Sequence, residues 1–340
     1  MARVVVLGSG GFGISLAVML HKYGHQVCMW SKFPQEIESI RRFGENRKLL
    51  PGVSVSPQIE LTSNIEDGAD ADLAILAVPS FAVRDTAKAF AAVIRPGTVV
   101  ANVAKGFEEG TNLRLSQVIS EEIPNNPIVV LSGPSHAEEI ARDVPTTIVA
   151  ASASRESAEF VQDILMNTNL RLYVNDDLIG VELGGALKNI IAMCAGICDG
   201  MGLGDNAKAA LITRGLAEIA RLGLAMGANA DTFTGLTGMG DLIVTCTSMH
   251  SRNRRCGILL GQGIEAKEAV ERIGMTVEGA SAARAARALS HKYSVEMPIT
   301  EQLCRILDGK LTAWEALSAL MGRPRRHENE SIWMRERTDS

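Results

Sequence analysis

The run Gly8-Ser9-Gly10-Gly11-Phe12-Gly13 follows the apolar stretch Val4-Val5-Val6-Leu7 and precedes Ile14-Ser15-Leu16-Ala17-Val18-Met19-Leu20. A strand, a tight glycine turn and a helix N-terminus in that order form a pyrophosphate-binding unit of a doubly wound α/β sheet. Gly8 permits the sharp turn, Gly10 lets the backbone approach phosphates, and Gly13 lets the helix pack closely on the strand. An ordinary tight turn is the plainer reading, and the full strand–turn–helix context favours a dinucleotide.

The next apolar run, Gln26-Val27-Cys28-Met29-Trp30, reads as the second strand. A site selective for NAD places Asp or Glu near the end of that strand, on the ribose 2′-hydroxyl. Here it ends Trp30-Ser31-Lys32, without an acid. The expectation is that NADP(H) is accepted or even preferred, with Lys32 on the 2′-phosphate; a solvated lysine is the alternative.

With 340 residues, 46% of them hydrophobic and 4% aromatic, the chain can build two cores. Its net charge of −5 argues against nucleic acid as a partner. The N-terminus lacks the apolar length of a signal peptide, and no segment is expected to span a bilayer. The six cysteines (Cys28, Cys194, Cys198, Cys246, Cys256, Cys304) form no C-x-x-C and lie in apolar surroundings. They read as free thiols in a reducing cytoplasm, not as zinc ligands or disulfides.

The first half alternates strand and helix. Residues 34–70 read as loop-rich with short extended pieces near Val53-Ser54-Val55, followed by strands at 71–79, 98–103, 128–131 and 146–150. Ser80 is expected to cap a helix reaching Ile94. From about residue 178 the pattern turns helical: 178–200, 206–226, 231–234, 252–260, 265–271, 278–290, 298–307 and 312–320. The expected organisation is a Rossmann-like, mainly parallel domain over residues 1–178, an all-helical domain over 179–323, and a frayed, charged tail over 324–340. The functional site is expected between the two domains.

Lys188 sits in Glu182-Leu183-Gly184-Gly185-Ala186-Leu187-Lys188-Asn189, followed by more apolar residues. Two glycines one turn below it on a helix cost about 1 kcal/mol each and need a reason, such as a close approach. A water-poor ammonium there suits proton donation to a carbonyl oxygen under reduction; a snorkelling lysine is the alternative. Gly235-Leu236-Thr237-Gly238-Met239-Gly240 forms a tight loop able to bring Asp241 into a cleft, where it could orient Lys188; a helix cap is the alternative. Ser251-Arg252-Asn253 offers a hydroxyl, a guanidinium and an amide to a phosphate. Lys105 follows a strand whose carboxyl end should face the reactive ring of a dinucleotide, and Ser132-Gly133-Pro134-Ser135-His136-Ala137 follows the next. His136 lacks a carboxylate partner in the sequence and is expected to be a wall residue.

Taken in order, the glycine turn, Lys105-Gly106, Ser132-Gly133-Pro134-Ser135, Gly184 through Asn189, Gly240-Asp241-Leu242, Ser251 through Arg254 and Val277-Glu278-Gly279 resemble the bacterial NAD(P)-dependent glycerol-3-phosphate dehydrogenases from about residue 2 to 323. The resemblance implies reversible reduction of dihydroxyacetone phosphate by NADH or NADPH to sn-glycerol 3-phosphate, for phospholipid synthesis, in a homodimer. It implies that Lys188 is the proton donor and acceptor, with its pKa lowered by burial and by Lys105. Lys105, Gly133, Ser135, Asp241, Ser251, Arg252 and Asn253 match substrate positions. Gly11, Phe12, Lys32, Lys105, Ala137, Arg252, Thr276 and Glu278 match cofactor positions. Phe12 and His136 depart from the family pattern, which often has a larger aromatic residue and a phenylalanine there. The rival readings are an NADPH-dependent reductase of another small oxo acid, of the ketopantoate reductase or β-hydroxyacid dehydrogenase type, and a non-catalytic nucleotide-sensing module.

Overall fold

A computed structural model describes residues 1–325. The expected tail lies outside the described residues from position 326 on. The first half runs β1 (Arg3–Leu7), α1 (Gly11–Lys22), β2 (Gln26–Trp30), α2 (Pro34–Phe43), β3 (Glu60–Thr62), β4 (Leu73–Leu76), α3 (Val83–Ala91), β5 (Val99–Asn102), α4 (Leu115–Glu122), β6 (Ile128–Ser132), α5 (Ala137–Ala141), β7 (Thr146–Ala151), α6 (Arg155–Leu165) and β8 (Leu170–Asn175). The eight strands form one sheet in the order β3-β2-β1-β4-β5-β6-β7-β8. Every neighbouring pair is parallel except β6 with β7, which run antiparallel.

Alternation along β1 sends Val4 and Val6 into one core and Val5 and Leu7 into another, on opposite faces of the sheet. Strand order reverses beside β1, where Leu7 pairs with Trp30 of β2 on one side and Leu76 of β4 on the other. A crevice at the carboxyl ends of the strands opens at such a reversal.

The second half is helical: α7 (Leu178–Gly200), α8 (Asp205–Ala225), α9 (Ala230–Thr234), a π-helical turn at Leu236–Gly240, α10 (Asp241–Thr247), α11 (Arg252–Gly261), α12 (Ala266–Ile273), α13 (Glu278–Lys292), α14 (Pro298–Leu307) and α15 (Ala313–Met321). α7 is its axis, with Leu183, Leu187, Ile190, Ile191 and Met193 at most 1% exposed. Burial of each such side chain contributes about 1.5–3 kcal/mol relative to exposure. Contrary to the expectation that no segment is long enough to span a bilayer, α7 is long and apolar enough to do so. Its apolar surface is instead covered by protein, almost along its whole length.

α7 and α11 touch through glycines. A Cβ on Gly196 would stand 2.0 Å from the Arg254 carbonyl oxygen, and one on Gly257 2.0 Å from that of Met193. Gly200 and Gly261 repeat the arrangement one turn on, against the carbonyls of Ile258 and Ile197.

Several local expectations are corrected. The stretch 34–70 contains α2, which begins on Pro34 at its first position, and β3, which extends the sheet. Ser80 does not cap α3; it opens a short 3-10 turn over Ser80–Ala82, with Pro79 at the cap position. Val53-Ser54-Val55 joins no strand. Residues 241–247 form the helix α10, and α4, α6 and β8 add to the expected elements.

Candidate active site

Lys188 is 6% exposed and Asp241 1% exposed. The Lys188 ammonium donates to Asp241 Oδ1 and, at 2.8 Å, to Thr245 Oγ1. Lys105 Nζ donates to the other oxygen, Asp241 Oδ2, at 2.7 Å and to the Gly133 carbonyl at 3.1 Å. One carboxylate therefore holds two ammonium groups, one from each half of the molecule. The Thr245 hydroxyl donates in turn to the Asp241 carbonyl at 2.6 Å. An ammonium has three donors, so Lys188 keeps one for another oxygen.

Local sequence explains the assembly. Lys105 lies just past β5 and Gly133 just past β6, both at the carboxyl edge of the sheet. Gly133 has φ +123°, a backbone conformation that side-chain-bearing residues rarely adopt. The two glycines below Lys188 admit protein, not ligand. A Cβ on Gly184 would stand 2.8 Å from the Thr237 carbonyl oxygen, and one on Gly185 2.6 Å from Ser132 Oγ and 3.5 Å from the stem of Lys105. The π-helical turn then delivers Asp241 as the first residue of α10, and Thr237 Oγ1 lies 2.8 Å from Ser132 Oγ.

The electrostatics follow from burial. Desolvation pushes the Lys188 ammonium down, Asp241 draws it back up, and the charge of Lys105 lowers it again, leaving it at about 8. Burial alone would raise the Asp241 carboxyl, but Lys105 and Lys188 outweigh it and hold the group below its ordinary value. His136 is lowered by burial and by the charge of Lys188. Its ring is tilted against that of His250 at 5.5 Å, and its buried Nε2 has no hydrogen-bond partner among the described residues. Burial raises the Glu278 carboxyl, which shares this field with Arg252, Lys105 and Lys188.

The remaining residues singled out from the sequence divide into engaged and open groups. Ser251 caps α11 by accepting from the Arg254 amide at 3.2 Å. Asn253 donates to Asn189 Oδ1 and accepts from the Gly279 amide, both at 2.9 Å. Ser135 donates to the Gly133 carbonyl at 2.9 Å. Arg252 is partly buried at the first position of α11, Lys32 is exposed beyond β2, and Thr276 is exposed before α13. Two further polar groups stand beside these residues without a role read from the sequence: Thr245, on the Lys188 ammonium, and Asn189, on Asn253, with the buried Nδ2 of Asn189 lacking a partner among the described residues.

The glycine turn fits a dinucleotide. A Cβ on Gly8 would lie 2.5 Å from the Ala77 carbonyl oxygen, and one on Gly13 2.3 Å from that of Gly8. One on Gly10 meets only Ala77 O, at 3.9 Å, so the space over Gly10 is open. α1 has neither a side-chain cap nor an acid in its first turn, which leaves its leading N–H groups for an anion. Gly11 is packed from above by the Leu49 carbonyl and faces Ala137, and Phe12 packs into the adjoining core.

Residues 3–158 match the family model described as NAD-dependent glycerol-3-phosphate dehydrogenase N-terminus, and residues 177–318 match the model for its C-terminus. A Desulfitobacterium hafniense protein named glycerol-3-phosphate dehydrogenase [NAD(P)+] is 52% identical over 98% of this chain and 94% of its own length. A Bacillus subtilis protein of the same name is 49% identical over 98% and 97%. The crystal structure of glycerol-3-phosphate dehydrogenase from Coxiella burnetii superposes with a TM-score of 0.91 at 37% identity, covering 95% of this chain and 99% of that one. A D-mandelate dehydrogenase at 14% identity and a 2-dehydropantoate 2-reductase at 16% share the fold alone.

Proposed function

The chain belongs to the NAD-dependent glycerol-3-phosphate dehydrogenase family, and from that premise we propose how its own residues carry out the family's reaction, the reversible NAD(P)H-dependent reduction of dihydroxyacetone phosphate to sn-glycerol 3-phosphate. The observation that carries the reading is the buried Lys188–Asp241–Lys105 cluster at the carboxyl edge of the sheet.

The cofactor, NADH or NADPH, supplies the hydride when bound. Gly8, Gly10, Gly11, Phe12 and Gly13 hold its pyrophosphate, and Lys32, Ala137, Thr276 and Glu278 complete its site. Lys188 protonates the oxygen that gains negative charge as the substrate ketone is reduced, and in the reverse direction the neutral amine accepts the hydroxyl proton. Asp241 orients Lys188 and keeps it from leaving the cluster. Lys105 lowers the proton affinity of Lys188 and faces the substrate with Gly133, Ser135 and the free donor of Asn189. Arg252, without a hydrogen-bond partner among the described residues, is the guanidinium for the substrate phosphate, held in place by α11, whose Ser251 and Asn253 fix its first turn.

Family membership also supports a homodimer and a cytoplasmic setting; light scattering that returns twice the chain mass tests the first. The catalytic reading is tested by following oxidation of each reduced coenzyme with dihydroxyacetone phosphate and with ketopantoate. Turnover on the phosphorylated ketone alone is expected. Preference for ketopantoate, or coenzyme binding with no turnover on either ketone, would overturn it.

A further inference from the structure

No acid ends β2, but a carboxylate reaches the strand end from the next helix. Ser31, the residue after β2, donates its hydroxyl to Glu36 Oε2 at 2.7 Å. Ser9, the second residue of the glycine turn, donates to the same oxygen at 2.5 Å. Both serines are 3% exposed, and both hydroxyls are fixed. Glu36 sits in the first turn of α2, whose cap residue Phe33 offers no side-chain hydrogen bond. An acid at that position usually turns back to the amide at the head of its own helix. Glu36 instead reaches across to the strand end and the glycine turn. Its second oxygen, Oε1, accepts no hydrogen bond among the described residues.

The end of the second strand and the first glycine turn together flank the adenosine ribose of a dinucleotide. Glu36 thus stands in space where a strand-end acid would stand in sequence. We infer that Glu36 sets coenzyme choice in this chain: Oε1 accepts a hydroxyl of an unmodified ribose, and its charge opposes a 2′-phosphate, so that NADH is preferred to NADPH. The inference rests on the glycine turn being the coenzyme cradle. A ribose phosphate carries about −1.5 to −2 charges, and a fixed carboxylate beside it is repulsive. Lys32, exposed one residue after Ser31, partly offsets that repulsion, so NADPH is disfavoured and not excluded. The paired serines matter because they hold the carboxylate; a mobile surface glutamate would swing away from the phosphate.

The test is direct binding, measured by calorimetry or by quenching of protein fluorescence, with NADH and NADPH on wild type, Glu36→Gln and Lys32→Ala. Competition between adenosine 2′,5′-bisphosphate and 5′-AMP reads the same pocket without the nicotinamide. Wild type is expected to bind NADH more tightly. Glu36→Gln should narrow the NADPH-to-NADH ratio of Kd values by about tenfold or more, mainly by tightening NADPH, with the melting temperature unchanged. Lys32→Ala should widen the ratio, and the effect of Glu36→Gln should shrink as salt rises. An unchanged ratio in Glu36→Gln with both coenzymes still bound, or tighter NADPH in wild type, would overturn the role of Glu36 and leave the cradle intact. Failure of wild type to bind either coenzyme would overturn the cradle, and Glu36 with it.

Discussion

At the scale of single residues, Lys188 is poised by opposing forces. Burial strips water from its ammonium and favours the neutral amine, while Asp241 favours the charge; the balance falls near 8 instead of the ordinary 10.5. Near neutral pH such a group can both give and take a proton. The sign follows from the roles proposed for Lys188. Ketone reduction needs the ammonium, so its kcat/KM should fall as pH rises through about 8, and alcohol oxidation needs the amine, so its kcat/KM should rise through the same range. Steady-state profiles in both directions check this, and Asp241→Asn should move both to lower pH because the counter-charge is gone. Lys188 and Asp241 were legible in the sequence because each interrupts an apolar or glycine-rich run. Thr245 was not, and Asn189 stood in a quoted motif without a role, because a threonine or asparagine on a helix is commonplace until its neighbours in space are known. Glu36 was hidden for a sharper reason: the strand-end pattern puts an acid directly after β2, whereas this carboxylate returns from the next helix.

At the scale of elements, the contact between α7 and α11 decides where Arg252 stands. Backbone meets backbone there, at Gly196 and Gly200 of one helix and Gly257 and Gly261 of the other. Ridge-and-groove packing of ordinary side chains holds helices about 8–10 Å apart, and glycines let them come closer. Gly257→Ala would put a methyl group on the Met193 carbonyl, and nothing at the far end of a flexible side chain can yield. It should cost about 1–3 kcal/mol of stability in denaturant unfolding and raise the KM for dihydroxyacetone phosphate more than that for coenzyme. The two glycine pairs, each four residues apart, are visible in the sequence, but spacing alone does not say which helices meet. The long helices α7, α8, α13 and α14 were legible from their apolar periodicity. α2 was obscured by Pro34, which reads as a loop signal although the first helical position tolerates it. β8 was obscured because it is an edge strand with only Leu170 and Leu172 buried among exposed residues.

At the scale of the whole molecule, the two halves divide the labour. The sheet carries the glycine turn proposed as the coenzyme cradle, and Lys105; the helical half carries Lys188, Asp241 and Arg252. They are joined by buried polar contacts as well as apolar packing: Glu182 of α7 accepts from the Ser116 amide at 2.8 Å and the Ser116 hydroxyl at 2.6 Å, and pairs with Arg114. That division gives the most direct test, since Lys188→Ala removes the proposed proton donor and leaves the proposed cradle untouched. Lys105 still neutralises Asp241 in the variant, so no buried carboxylate is left without a partner. Turnover with dihydroxyacetone phosphate should drop by about 10²–10⁴-fold while the Kd for coenzyme stays within about twofold of wild type. Turnover within about tenfold of wild type, with coenzyme still bound, would contradict the assignment of Lys188 as the proton donor.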